Sequence, residues 1–272
     1  MYLPSRCVRW RRNGPENDAD AMQEIAAQQG YQKTTVIFDT RATSQVVINE
    51  IRIAADTLQS GDSFLLTYSG HGSQTWDNSG DEPSNEPTSK ALYGTGGKDE
   101  TLCLYDRQFK DDELNYWLGQ FKPGVRIVVI SDCCHAGSNI KNLEETAVDP
   151  LPAKGISLDE TQVIIAKNQS VYDKTWRSND FLLPNSRPNA SIILLAACQD
   201  TEQANATHDP GGYSVFTEKL LAVWDNGNFD GNYRQFLEAI GAQIPAHFYQ
   251  TPNYLTGGQA NPDFENQKPF TI

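Results

Sequence analysis

Two residues able to do nucleophilic chemistry stand 63 positions apart, His71 and Cys134, each just beyond an apolar run. The first run is Phe64-Leu65-Leu66-Thr67-Tyr68-Ser69, closing in Gly70-His71-Gly72; the second is Ile127-Val128-Val129-Ile130-Ser131, closing in Asp132-Cys133-Cys134-His135-Ala136-Gly137-Ser138. If the two runs are neighbouring strands of one parallel sheet, both turns lie at its carboxyl edge, where open α/β sheets bind their ligands. A thiol and an imidazole then face each other, the arrangement needed for a cysteine nucleophile. The glycines around His71 let a substrate backbone approach and leave the Gly72 N–H free to donate. Cys134 precedes Gly137-Ser138, where a helix would start, and a helix N-terminus favours the thiolate. Read blandly, a lone cysteine is an inert core residue and a lone histidine a surface one. A buried strand ending in Asp132, His135 and Gly137 argues against that. The spacing argues against a zinc site from Cys133, Cys134 and His135, because contiguous residues do not converge on one metal and no second CxxC-type pair is present.

The elements that must position these residues alternate in period. Asn17–Gln29 predicts a helix with Ala19, Met22, Ile25 and Ala26 on one face, Asn17 or Asp18 as cap and Gly30 as stop. Thr34–Phe38 reads as a short strand. Thr43 or Ser44 caps a second helix that buries Val47, Ile48, Ile51, Ile53, Ala54 and Leu58. Asp111–Phe121 reads as a helix, its acidic first turn suiting the helix dipole, and Ser191–Ala197 as another apolar strand. Helices over Tyr213–Trp224 and Tyr233–Ile244 complete the pattern. Strands this uniformly apolar are covered on both faces, so the sheet should be mostly parallel between helical layers. Two stretches read as loops, Thr75–Lys98 and Asn139–Asn189.

Composition narrows the class. The chain has 272 residues, 38% hydrophobic and 21% charged, which fits one α/β domain with insertions. No apolar run approaches a membrane span, and the first residues carry no signal-peptide core, so a cytoplasmic location is expected. Net charge is −13; the four arginines of the first twelve residues leave −17 for the rest. An acidic body argues against nucleic acid and suits a basic substrate or bound cations, although much of it serves solubility alone. The five cysteines form no disulfide pattern.

Tyr68-Ser69-Gly70-His71-Gly72 and Asp132-Cys133-Cys134-His135-Ala136-Gly137 resemble the histidine and cysteine boxes of metacaspases, most closely the bacterial caspase-like peptidases called orthocaspases. Caspase-type enzymes place their histidine roughly 50 residues before the cysteine. Further matches run from Gly14-Pro15-Glu16-Asn17-Asp18-Ala19-Asp20 through Gly80-Asp81-Glu82-Pro83 and Lys98-Asp99-Glu100-Thr101-Leu102 to Ala197-Cys198-Gln199-Asp200. The resemblance implies a three-layer α-β-α caspase-like fold. It implies Cys134 as nucleophile, with Cys133 where the family has serine, and His71 as general acid–base. The Gly72 and Cys134 N–H groups would form the oxyanion hole. Asp18, Ser69 and Asp132 match the family's pocket for arginine or lysine, which agrees with the need of paired carboxylates for a cation. For Asp18 a helix cap is the plain alternative. No cofactor is required by the resemblance. Calcium is a candidate activator at Asp99, Asp111 and Asp112, with a solvated helix start as the rival reading of the last two. The family's further aspartate after the nucleophile is missing from Asn139–Glu144, and Asp77, Asp81 and Glu82 are candidate substitutes.

The expected organisation is an atypical segment 1–16, lacking the family's opening apolar strand, then one peptidase domain 17–272. Its parts are a large segment 17–138, a linker 139–189 and a small segment 190–272. Lys141, Lys154, Lys167, Lys174, Arg177 and Arg187 make the linker a candidate for self-cleavage. The expected activity is cysteine endopeptidase cleavage after arginine or lysine, on protein or peptide substrates, by a monomer that binds neither nucleic acid nor membrane. The rival readings are a catalytically silent scaffold and a thiol hydrolase or transferase of non-peptide acyl groups.

Overall fold

The structure, a computed structural model, describes residues 14–76, 97–134, 151–176, 188–199, 202, 204–207, 209 and 211–272. Its centre is a four-stranded sheet in the order β1 (Ser63–Ser69), β5 (Arg126–Asp132), β6 (Ser191–Ala196), β7 (Asn253–Gly258). The first three strands are parallel and β7 is antiparallel to β6. A second, antiparallel sheet is formed by β2 (Gly72–Trp76), β3 (Lys98–Cys103) and β4 (Gln108–Lys110).

The apolar strands divide their side chains between two helical layers, as period two requires. Val128 and Ile130 of β5 join Ile193 and Leu195 of β6 against α1 (Pro15–Gln28), α6 (Val215–Trp224) and α7 (Tyr233–Gln243). Ile127 and Val129 face the other way, onto α2 (Ser44–Thr57) and Leu118 of α3 (Asp111–Leu118). This is the three-layer α-β-α arrangement expected from the alternating sequence. A short helix, α8 (Pro262–Asn266), sets Phe264 into the first layer.

Several local expectations need correction. Thr34–Phe38 forms no strand. It and β1 line one cavity of about 1750 Å³, and among the described residues this apolar stretch is paired with no strand. Ile53, expected inside, is 47% exposed, because α2 rests on the sheet through Ile51 and Ala55. The loop readings also miss structure. Both ends of the first, Thr75–Trp76 and Lys98, belong to the paired strands β2 and β3, and the second holds α4 (Leu158–Lys167) and α5 (Gln169–Trp176). Thr43 does cap α2, its Oγ1 accepting the Val46 N–H. Asp77, Asp81 and Glu82, with most of segment 1–16, lie outside the described residues.

A buried ion pair ties the second sheet to both neighbouring helices. Arg107 donates to both carboxylate oxygens of Glu113 at 2.7 Å, and its Nε donates to Ser44 Oγ of α2. Trp176 at the end of α5 donates to the same Glu113. Every charge in this group has several partners, which is the condition for a buried pair to be tolerated.

Candidate active site

β1 and β5 run in register, Ser69 opposite Asp132. His71 and Cys134 therefore stand the same two residues beyond matched positions at the carboxyl edge. The turn between them is tight. A Cβ placed on Gly72 would lie 2.4 Å from the Cys134 carbonyl oxygen, so only glycine fits there. Strand alternation sends Asp132 to the same face as Val128 and Ile130, and Cys134 packs in that layer too. Cys133 points to the other face of the strand, its Sγ 3.2 Å from Ser131 Oγ and beside Gly72, where a Cβ would lie 3.1 Å from it. Burial pushes the Cys133 thiol up to about 12, against its hydrogen bond to Ser131, which keeps it a protonated thiol.

Asp18, Ser69 and Asp132 come together although they belong to α1, β1 and β5. Asp18 is not a cap. It is the fourth residue of α1, buried, and accepts from the Ser69 hydroxyl at 2.6 Å and the Ser214 N–H at 3.0 Å. The Ser214 hydroxyl also donates to it. Asp132 Oδ2 accepts from Thr217 Oγ1 at 2.6 Å.

Into this group reaches a residue of the chain itself. Lys154 Nζ is 2.8 Å from Asp132 Oδ1, 2.8 Å from Ser69 Oγ, 2.8 Å from Ser214 Oγ and 3.5 Å from Asp18 Oδ2. Its side chain is 2% exposed. Burial works against its charge, but attraction to Asp132 and Asp18 outweighs that and holds its pKa above the ordinary lysine value. Burial also pushes the Asp132 carboxyl up, against the pull of the same ammonium.

The backbone around Lys154 is held as firmly. The Gly72 and Cys134 N–H groups both donate to the Lys154 carbonyl oxygen, at 3.0 and 3.1 Å. Upstream, the Lys154 N–H donates to the Ala204 carbonyl and the Ala206 N–H to the Pro152 carbonyl. Downstream, the Ile156 N–H donates to the Gly72 carbonyl, and the Ser73 hydroxyl donates to the Ile156 carbonyl. Residues 152–156 are thus bridged on both sides, Ala153 antiparallel to Asn205 and Gly155 parallel to Gly72 at the start of β2, with the chain bending at Lys154, a partial form of the way a sheet edge captures a peptide. His71 stands beside it, half-buried, with its pKa lowered by burial and then by the Lys154 ammonium.

Sequence reasoning missed Ser214 and Thr217, which no motif singles out, and counted Lys154 only as one of six basic linker residues. Its small neighbours, Ala153 and Gly155, were the available signal. Of the calcium candidates, Asp99, Asp111 and Asp112 lie among the described residues. Asp99, buried in β3, pairs with the Lys110 ammonium, over which the Trp176 ring lies at 4.9 Å. Asp111 and Asp112 open α3, and Asp111 accepts the Asp112 N–H. Among the described residues no three carboxylate, imidazole or thiol groups are placed to hold a metal. Asp99 thus already faces a fixed cation, which a calcium ion there would have to displace.

Comparison with known proteins agrees with this architecture. The family described as caspase domain (Peptidase_C14) matches residues 8–267. The chain is similar to Metacaspase-1 of Schizosaccharomyces pombe, 26% identical over 87% of this chain and 61% of that one. It is also similar to Metacaspase-1B of Aspergillus fumigatus, 24% identical over 81% and 56%. The chain thus spans about six-tenths of the length of these curated relatives. Among solved structures, protein GSU0716 from Geobacter sulfurreducens superposes with a TM-score of 0.80 at 35% identity, covering 96% of this chain and 91% of that one.

Proposed function

Because this chain belongs to the caspase-domain family of cysteine peptidases, we propose that it is an endopeptidase cleaving after a basic residue, and that one bond it cuts is its own Lys154–Gly155. The observation that carries this reading is the double placement of Lys154. Its ammonium lies between two buried aspartates while its carbonyl accepts from two converging N–H groups. A peptide bond awaiting acyl transfer needs both.

In this reading Cys134 is the nucleophile and His71 the base. The depressed pKa of His71 keeps its imidazole neutral, able to take the Cys134 thiol proton. The sulfur attacks the Lys154 carbonyl carbon and the carbonyl electron pair moves onto oxygen, facing the Gly72 and Cys134 N–H groups, where a fixed donor contributes about 2.7–4 kcal/mol. The C–N bond to Gly155 then breaks, its electrons staying on nitrogen, which takes the proton from His71. Water hydrolyses the thioester, His71 receives a proton and returns it to sulfur, and Lys154 is left with a carboxylate.

Intact-mass spectrometry of purified protein tests this directly. Two fragments, 1–154 and 155–272, are expected. A chain that stays whole while cutting free basic peptides at full rate overturns self-cleavage. A chain that cuts neither overturns the peptidase reading and favours a silent scaffold.

The reading also fixes a pH limb. Burial, and then the cation in the pocket, disfavour the imidazolium, so His71 must be taken below its ordinary 6.5 before it protonates. In the substrate complex kcat should therefore fall on the acid side at a pH below 6.5. A kcat profile whose acid limb lies above 6.5 contradicts this assignment.

A further inference from the structure

We propose, resting on the peptidase reading above, that the pocket is built for lysine and discriminates against arginine. The ammonium of a lysine has three protons, and three oxygens stand 2.8 Å from it, on Asp132, Ser69 and Ser214. The two serine hydroxyls spend their own protons on Asp18. They therefore turn lone pairs to the ammonium and carry the Asp18 charge to it indirectly.

Arginine needs something else. Its guanidinium is a rigid planar fork of five N–H donors that binds carboxylates through two oxygens at once. Neither aspartate offers that face. Asp132 Oδ2 already accepts from Thr217 at 2.6 Å, so a fork would have to share that oxygen with the hydroxyl. Asp18 has one oxygen occupied by the Ser214 N–H and the other by two hydroxyls. A guanidinium in this closed site would have to displace Thr217 or bury N–H groups without acceptors. Sites built around specific hydrogen bonds reject a ligand that leaves their groups mismatched. Ser214 and Thr217 are thus positioning residues for specificity, acting through the carboxylates they hold.

The test uses two fluorogenic peptides, acetyl-Leu-Pro-Ala-Lys and acetyl-Leu-Pro-Ala-Arg amides of aminomethylcoumarin, which repeat residues 151–153 before the varied position. It also uses the Lys154→Arg chain, followed by intact mass. The lysyl peptide should exceed the arginyl peptide by at least about tenfold in kcat/KM, and Lys154→Arg should self-cleave at least about tenfold more slowly than wild type. Thr217→Val frees Asp132 Oδ2 and should shrink the lysine-to-arginine ratio severalfold, a change that general loss of structure does not produce. Equal or faster arginine cleavage, lost in Cys134→Ala, overturns the preference and leaves the peptidase reading standing. No cleavage of either peptide or of either chain overturns both. An unchanged ratio in Thr217→Val overturns the role given to the engaged oxygen.

Discussion

Cys134→Ala should remain a single uncut chain and lose at least about a thousandfold of its activity on basic peptides, as removal of a catalytic nucleophile does elsewhere. The fold should survive, because Cys134 is buried in a layer whose bulk comes from residues such as Trp224, Phe216 and Phe236, and alanine removes only the sulfur. Circular dichroism with intact mass would check both halves. Cys133→Ala is the informative companion. Cys133 points away from the Asp132 face, bonded to Ser131, with its thiol held protonated, so its loss should leave self-cleavage in place. If Cys133→Ala stops cleavage and Cys134→Ala does not, the nucleophile has been misassigned.

Asp132→Asn should act twice. It removes the direct partner of the Lys154 ammonium at 2.8 Å and leaves that ammonium in a buried site. Breaking one side of a buried pair costs about 3–5 kcal/mol. In the uncut chain, best studied in a Cys134→Ala background, this should appear as a lower urea midpoint. On a free lysyl peptide the same loss corresponds to about a hundredfold or more in kcat/KM. The double change Asp132→Asn with Lys154→Met should recover much of the lost stability, since removing both partners leaves no unpaired charge. Equal midpoints for wild type and Asp132→Asn, with no rescue in the double variant, would show that the pair does not hold the segment in place.

How much of this the sequence disclosed follows the kind of signal involved. β1, β5 and β6 were legible because each is a continuous apolar run, and their parallel order followed from the helices between them. Thr34–Phe38 misled for a related reason. Periodicity reports that a segment is apolar, not whether a partner edge lies beside it. The β2–β3 pair is hidden in the sequence because its residues are polar yet buried, as Ser73, Gln74, Asp99 and Thr101 all are. α4 and α5 were read as loop because each buries very little, Thr161 in one and Tyr172 in the other. At the site, Asp18, Ser69 and Asp132 could be named because they sit in motifs. Ser214, Thr217 and the particular role of Lys154 could not, because their meaning lies in convergence across separations of up to 196 residues.

The segment 152–156 belongs to the same molecule as the groups that hold it, and under the proposed self-cleavage that alters the order of the kinetics. A tethered segment meets its site at an effective concentration on the order of millimolar, whatever the bulk concentration. Under the self-cleavage proposed above, nicking would be a first-order clock, indifferent to dilution. A visiting polypeptide has to compete with a resident one until residues 152–154 swing out, so severing the bond and vacating the pocket are separate events with separate rates.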